Sequence, residues 1–214
     1  MKCDKNSLLL YAVTDRAWLR PGETLLDRVR QAVDGGATFV QLREKDLNRD
    51  AFLQEGREIG AFCLERHIPF VVDDDVELAL ACGADGAHVG QSDLEAGKAR
   101  AALGPDKILG VSAQTVEQAL AAEAAGADYL GVGAVFSTST KLDACDVSRE
   151  TLAAICRAVK IPVVAIGGIS AKNVSALAGT GIAGVAVVSA LFAAEDTRAA
   201  AADLAARTRR AVEA

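Results

Sequence analysis

Seven short, largely apolar runs in this chain end in a polar or glycine cluster: Gln41-Leu-Arg43-Glu-Lys45, Asp73-Asp74-Asp75, Gln91-Ser-Asp93, Ser112, Thr138-Ser-Thr140-Lys141, Gly167-Gly168 and Ser189. Side chains alternate along an extended segment, so Gln41, Arg43 and Lys45 share one face while Leu42 and Glu44 share the other. Three such donors suit an anion, since Arg grips phosphate oxygens in a bidentate fork and Lys acts as a point charge. Taken singly, the same residues describe a solvated strand end with an Arg–Glu pair. The acidic clusters offer the complementary chemistry. Neighbouring strand ends lie about 4.8 Å apart, so carboxylates from both could reach one cation. With no His/Cys cluster in the sequence, Mg²⁺ fits such a pair better than zinc. An Asp at either place also suits a helix N-cap, because helical stretches follow.

The long connection from Phe136 to Ser148 carries Thr138, Thr140 and Lys141, which suit a phosphate clamp or an ordinary polar loop. Ser112 can cap the next helix or donate to a phosphate. Gly167-Gly168, with Val188-Ser189 after the last strand, matches the place where barrels build phosphate sites from backbone N–H groups and a short helix N-terminus. Both histidines, His67 and His88, read as structural.

These clusters work together only if strands carry them to one place. Strands are expected at Leu8–Thr14, Thr38–Leu42, Phe70–Asp73, Gly86–Val89, Ile108–Val111, Tyr129–Val132, Val163–Ile166 and Gly184–Val188. Helical stretches between and after them are expected near Thr24–Asp34, Arg49–Arg66, Val76–Cys82, Leu94–Leu103, Val116–Ala125, Arg149–Val159, Ala171–Ala178 and Thr197–Val212. Such alternation predicts right-handed βαβ units. A weak repeat supports it: Gly-Ala-Thr at 36–38 and Gly-Ala-Asp at 83–85 and 126–128 each join a helix to a strand, and Gly-Ile-Ala at 181–183 echoes them. The glycine suits the left-handed position just past a helix end. Eight units predict an α/β fold closed as a single (β/α)₈ TIM barrel over residues 1–214, in which all strand ends meet at one rim. A doubly wound open sheet shares the same pattern.

Composition narrows the partners. A net charge of -6 and 4% aromatic residues argue against nucleic acid and anionic membranes, so an anionic ligand must be held by local cations or metal. The five cysteines include no C-x-x-C pair and read as free thiols. Leu8–Val13 is too short for a signal-peptide core, which makes the cytoplasm the expected compartment. Apolar outer helix faces leave room for a homodimer.

In that order, Gln41-Leu-Arg-Glu-Lys45, Asp74-Asp75-Val-Glu-Leu-Ala, His88-Val-Gly-Gln-Ser-Asp93, Gly110-Val-Ser112, Thr138-Ser-Thr-Lys141-Leu-Asp143 and Ile166-Gly-Gly-Ile169 resemble the thiamine phosphate synthase family over nearly the whole chain. The resemblance implies a Mg²⁺-dependent transferase joining 4-amino-2-methyl-5-hydroxymethylpyrimidine diphosphate to 4-methyl-5-(2-phosphoethyl)thiazole and releasing pyrophosphate. It implies that Gln41, Arg43, Lys45, Ser112 and Lys141 contact the pyrimidine diphosphate, with Arg43, Ser112 and Lys141 the catalytic set. Asp74 and Asp93 would bind the metal, and Thr138, Thr140, Gly168, Val188 and Ser189 the thiazole phosphate. Three places depart from the family pattern: Asp73 stands where Asn is usual and would adjoin the pyrophosphate, Gln114 stands where a His is usual, and Ala134 and Ser137 replace prolines. These differences bear on affinity and loop rigidity rather than reaction class. A thiazole tautomerase-like isomerase and a non-catalytic phosphate-binding barrel are the rival readings.

Overall fold

The computed structural model describes residues 3–45, 47–91, 95–137 and 147–214. Asp93, Thr138, Thr140 and Lys141 lie outside the described residues. Eight parallel strands close into a barrel in chain order: β1 Leu10–Val13, β2 Phe39–Leu42, β3 Phe70–Asp73, β4 Gly86–Val89, β5 Ile108–Ala113, β6 Tyr129–Val132, β7 Val163–Ile166 and β8 Gly184–Val187, with β8 pairing back to β1. The helices are α1 Leu25–Asp34, α2 Arg49–Glu65, α3 Val76–Cys82, α4 Ala96–Leu103, α5 Val116–Ala124, α6 Arg149–Ala158, α7 Ser189–Phe192 and α8 Thr197–Glu213. Among the described residues, none is long and apolar enough to cross a membrane. Closure of the sheet removes the doubly wound alternative.

Alternation along each strand divides the core in two. Leu10, Val40, Leu42, Val72, Leu109, Leu130 and Val185 face outward against the helices. Tyr11, Phe39, Val71, Ile108, Tyr129, Val164 and Ala186 face inward and fill the barrel. The three inner aromatic rings pack at tilted and edge-on angles, with Phe39 4.5 Å from Tyr11 and 5.6 Å from Tyr129 between centroids. Cys3, Leu8 and Ala183 join this inner cluster. The inside is therefore a packed plug over most of its depth, and a ligand can enter only above the rings, at the C-terminal rim.

The sequence repeat has a structural cause. Its glycines Gly36, Gly83, Gly126 and Gly181 all adopt positive φ. The residue two places on turns its side chain to the start of a neighbouring strand: Thr38 Oγ1 accepts from Leu10 N at 3.0 Å, Asp85 Oδ2 from Phe70 N at 2.9 Å, and Asp128 Oδ2 from Leu109 N at 2.8 Å. Each satisfies a donor that the ladder would otherwise leave unpaired at the barrel floor. In the fourth copy, Ala183 keeps only the backbone bond, from its N to Val163 O at 2.7 Å.

One expected helix is much shorter. Instead of Ala171–Ala178 the chain makes a single 3-10 turn, Val174–Leu177. Asn173 closes a turn on the preceding residues: its Oδ1 accepts from Ser170 N and its Nδ2 donates to Gly168 O, a local alternative to a regular helix start. Gly179 and Gly181, both at positive φ, end the segment.

Candidate active site

A cavity of about 320 Å³ opens at the C-terminal ends of the strands. Gln41, Arg43, Asp73, Ser112, Gly168, Val188 and Ser189, seven of the residues singled out in the sequence, line it together. Lys45 and Asp74 are exposed on the rim and are not among the lining residues. The acidic run at the end of β3 divides its labour. Asp75 is the N-cap of α3, accepting from Leu78 N at 2.8 Å. Asp74 adopts φ 61 and donates its backbone N–H to His88 O at 2.8 Å. Asp73 alone reaches the cavity. Its Oδ1 accepts a short bond from Gln41 Nε2, and its Oδ2 lies 3.7 Å from Arg43 Nε. Its negative charge thus faces the Gln41 amide at the end of β2 and the Arg43 guanidinium just beyond it.

The glycine turn after β7 leaves its backbone bare. Gly167 and Gly168 follow β7 at φ 98 and 62. A Cβ on Gly167 would lie 2.5 Å from Ala134 Cα, and one on Gly168 2.4 Å from Ser137 O, so both conformation and space exclude a side chain. Ser189 begins the short α7 directly after β8. Behind it, the buried Arg28 donates to Ala194 O at 3.2 Å and to Thr197 Oγ1 at 2.7 Å, tying α1 to the α7–α8 junction.

Among the other lining residues, Tyr11 and His88 were not anticipated as site residues, and Gln114 lines the cavity with them. His88 does more than fill space. Its Nε2 is 3.0 Å from Ser112 Oγ and its Nδ1 is 3.0 Å from Tyr129 Oη. Ser112 therefore does not cap α5, which is capped by Thr115. The signal was present in the strand alternation, since His88 sits in β4 with its side chain turned into the barrel, but an isolated His carries no spacing that marks it.

An acidic cluster supports the rim from outside. Arg16 donates from Nε to Glu44 at 2.8 Å and from Nη2 to Glu55 at 2.9 Å, linking the turn after β1, the end of β2 and α2. Burial raises the Glu55 carboxyl from 4.5 to about 7, against the pull of Arg16 and with added push from Glu44. The neighbouring Glu44 is almost fully buried, and its Oε1 has no hydrogen-bond partner among the described residues. A carboxyl raised in the folded state contributes stability that is complete below its unfolded value and is lost as pH climbs through about 7. Replacing Glu55 by Gln should therefore help more at high pH. Relative to wild type, the gain is expected to grow by about 1 kcal/mol from pH 5 to pH 8 once solvent screening is allowed for. Urea denaturation at both pH values checks this, and a pH-independent difference would contradict it.

The family model for thiamine monophosphate synthase matches residues 10–191. The chain belongs to the thiamine monophosphate synthase family. It is 52% identical over 192 residues to the thiamine-phosphate synthase of Ruminiclostridium cellulolyticum, covering 90% of this chain and 91% of the relative. It is 48% identical over 195 residues to that of Clostridium tetani, covering 91% and 93%. Among solved structures, the thiamine phosphate pyrophosphorylase from Pyrococcus furiosus superposes with a TM-score of 0.89 at 40% identity, over 97% of this chain and 98% of the other. Membership makes the chain an enzyme of thiamine biosynthesis, and nothing in these likenesses favours the isomerase or the binding protein.

Proposed function

We propose that this chain, as a single barrel domain over residues 1–214, forms thiamine phosphate by coupling 4-amino-2-methyl-5-hydroxymethylpyrimidine diphosphate with 4-methyl-5-(2-phosphoethyl)thiazole. The observation that carries the reading is one cavity lined both by an oriented guanidinium, Arg43, and by a glycine turn with free approach to backbone N–H groups. The first suits a leaving diphosphate and the second a phosphate that stays on the product.

In the reaction the bond between the pyrimidine methylene and the diphosphate oxygen breaks, its electron pair leaving with pyrophosphate. The thiazole nitrogen lone pair then forms the new C–N bond. An electron-rich aminopyrimidine can support the intervening cation, so the protein's task is to stabilise leaving-group charge rather than to supply a nucleophile or base. Arg43, Lys45 and Lys141 serve that task, with Gln41 and Ser112 orienting the pyrimidine. Thr138, Thr140, Gly168, Val188 and Ser189 hold the thiazole phosphate.

The rim also suits a metal. In the sequence, the carboxylates that follow β3 and β4, Asp74 and Asp93, offer oxygens, the preference of a hard cation, and among the described residues no group of three or more His, Cys, Asp or Glu could hold a metal by itself. Mg²⁺, commonly bound by one or two carboxylates together with substrate oxygens, fits that set, with Asp74 and Asp93 as its protein ligands. When bound it supplies further neutralisation of the diphosphate. The substrates are small and phosphorylated, and the cytoplasm is the compartment.

The test is direct. The protein is incubated with both substrates and Mg²⁺, with and without EDTA, and pyrophosphate and thiamine phosphate are followed together. Equal amounts of both products, dependent on both substrates and abolished by EDTA, are expected. Thiazole isomerisation without pyrophosphate, or binding without turnover, would overturn the reading.

A further inference from the structure

A continuous hydrogen-bonded chain crosses the barrel beneath the cavity. It runs from Ser112 Oγ to His88 Nε2 at 3.0 Å, from His88 Nδ1 to Tyr129 Oη at 3.0 Å, from Tyr129 Oη to Tyr11 Oη at 2.7 Å, and from Tyr11 Oη to Gln41 Oε1 at 2.7 Å. Gln41 Nε2 then donates to Asp73 Oδ1. Six side chains on strands β1 to β6 form one line, almost wholly shielded from water.

The direction of such a chain is set at its end. A carboxylate only accepts, so Gln41 must turn its NH₂ to Asp73 and its carbonyl oxygen to Tyr11. Tyr11 spends its single hydrogen on that carbonyl and must accept from Tyr129. Tyr129 spends its own on Tyr11 and must accept from His88 Nδ1–H. Burial pushes both phenols well above the usual tyrosine range, so each keeps the one hydrogen this count requires. The His88 ring is held in place as well: a Cβ on Gly110 would lie 2.4 Å from its Nδ1, and one on Gly131 3.0 Å from its Cε1. In this tautomer Nε2 is the acceptor, and it takes the hydrogen of Ser112.

We propose that Asp73 is a positioning residue that fixes the direction of this whole chain, so that Ser112 presents lone pairs, not a hydrogen, to the ligand in the cavity. A hydroxyl committed in this way recognises an N–H donor. On the reading proposed above, that donor is the exocyclic amine of the aminopyrimidine, not the diphosphate. An amide at position 73 would impose no such direction, because it can donate to Gln41 as well as accept from it. The reversed chain would place the hydrogen on His88 Nε2 and free that of Ser112.

The experiment reads the imidazole tautomer by ¹⁵N NMR on protein labelled at histidine, which has only His67 and His88 to distinguish. His67→Asn assigns the signals. In the wild type the Nδ1–H form of His88 is expected. In Asp73→Asn a population with hydrogen on Nε2 should appear. Tyr129→Phe cuts the chain, so the tautomer should then be the same with Asp or Asn at position 73; Tyr11→Phe makes the same cut should the first variant fold poorly. Three results would each overturn the proposal: a wild-type ring protonated on Nε2 or on both nitrogens, no change in Asp73→Asn, or a change that persists after the chain is cut. The measurement needs neither substrate nor turnover, so failure of the proposed reaction and failure of this inference are separable.

Discussion

Replacing Arg43 with Ala is expected to lower kcat/KM by roughly 10²- to 10³-fold, the usual loss when one oriented donor to developing negative charge is removed. The expectation rests on three features. Arg43 lines the cavity, it follows a short, fully buried strand that holds its backbone, and Asp73 Oδ2 lies 3.7 Å from its Nε. A guanidinium aimed before the substrate arrives needs no reorganisation as the diphosphate departs. Arg43→Lys keeps the charge and loses the fork, so its activity should fall between Ala and wild type. Both variants should remain folded, since the rim of such a barrel contributes less to stability than its floor. Steady-state pyrophosphate release together with thermal unfolding checks the pair. Wild-type rates in Arg43→Ala would remove this residue from the site.

Gly168→Ala should be comparably damaging for a different reason. The backbone at φ 62 disfavours any side chain, and the added Cβ would meet Ser137 O at 2.4 Å and Phe136 O at 2.8 Å. Those neighbours are backbone atoms, so the turn or the segment facing it has to move. In a turn proposed to hold the thiazole phosphate, a displacement of that size is expected to cost about 10²-fold in kcat/KM, mainly through the KM for thiazole phosphate. Gly83→Ala is the control. It sits in the left-handed region at φ 77 and ψ 21, but no atom lies within 4 Å of the added Cβ. It should lose about 1–2 kcal/mol of stability and keep its activity. If both variants behaved alike, strain alone would account for the effect at Gly168 and the close approach would be irrelevant.

Much of this protein could be read along the chain because its local patterns repeat. The bounds of β3, β4, β6, β7 and α3 match the expected ones, since each is an apolar run or helix start bracketed by its own punctuation, such as Asp75 before α3 and Gly83 after it. The segment at 171–178 was misjudged because helix propensity competed with a turn held by Asn173, whose partners are Gly168 and Ser170 in that geometry. The shared rim followed from parallel strand order, which is why Gln41, Arg43, Ser112, Gly168 and Ser189 could be grouped without coordinates.

What the linear order could not supply was the direction of individual side chains and the bonds across the barrel. Three successive aspartates look equivalent in sequence; the backbone turn at Asp74 makes one a cap, leaves one exposed and sends only Asp73 inward. Tyr11, His88 and Tyr129 are separated by up to 118 positions and carry no common motif. They meet because closing the sheet brings inward faces of distant strands within hydrogen-bond range. Sequence determined which strands exist and what their ends carry, because both depend on neighbouring residues. Tertiary structure decided which polar groups touch, because that depends on barrel closure and on which face each residue presents.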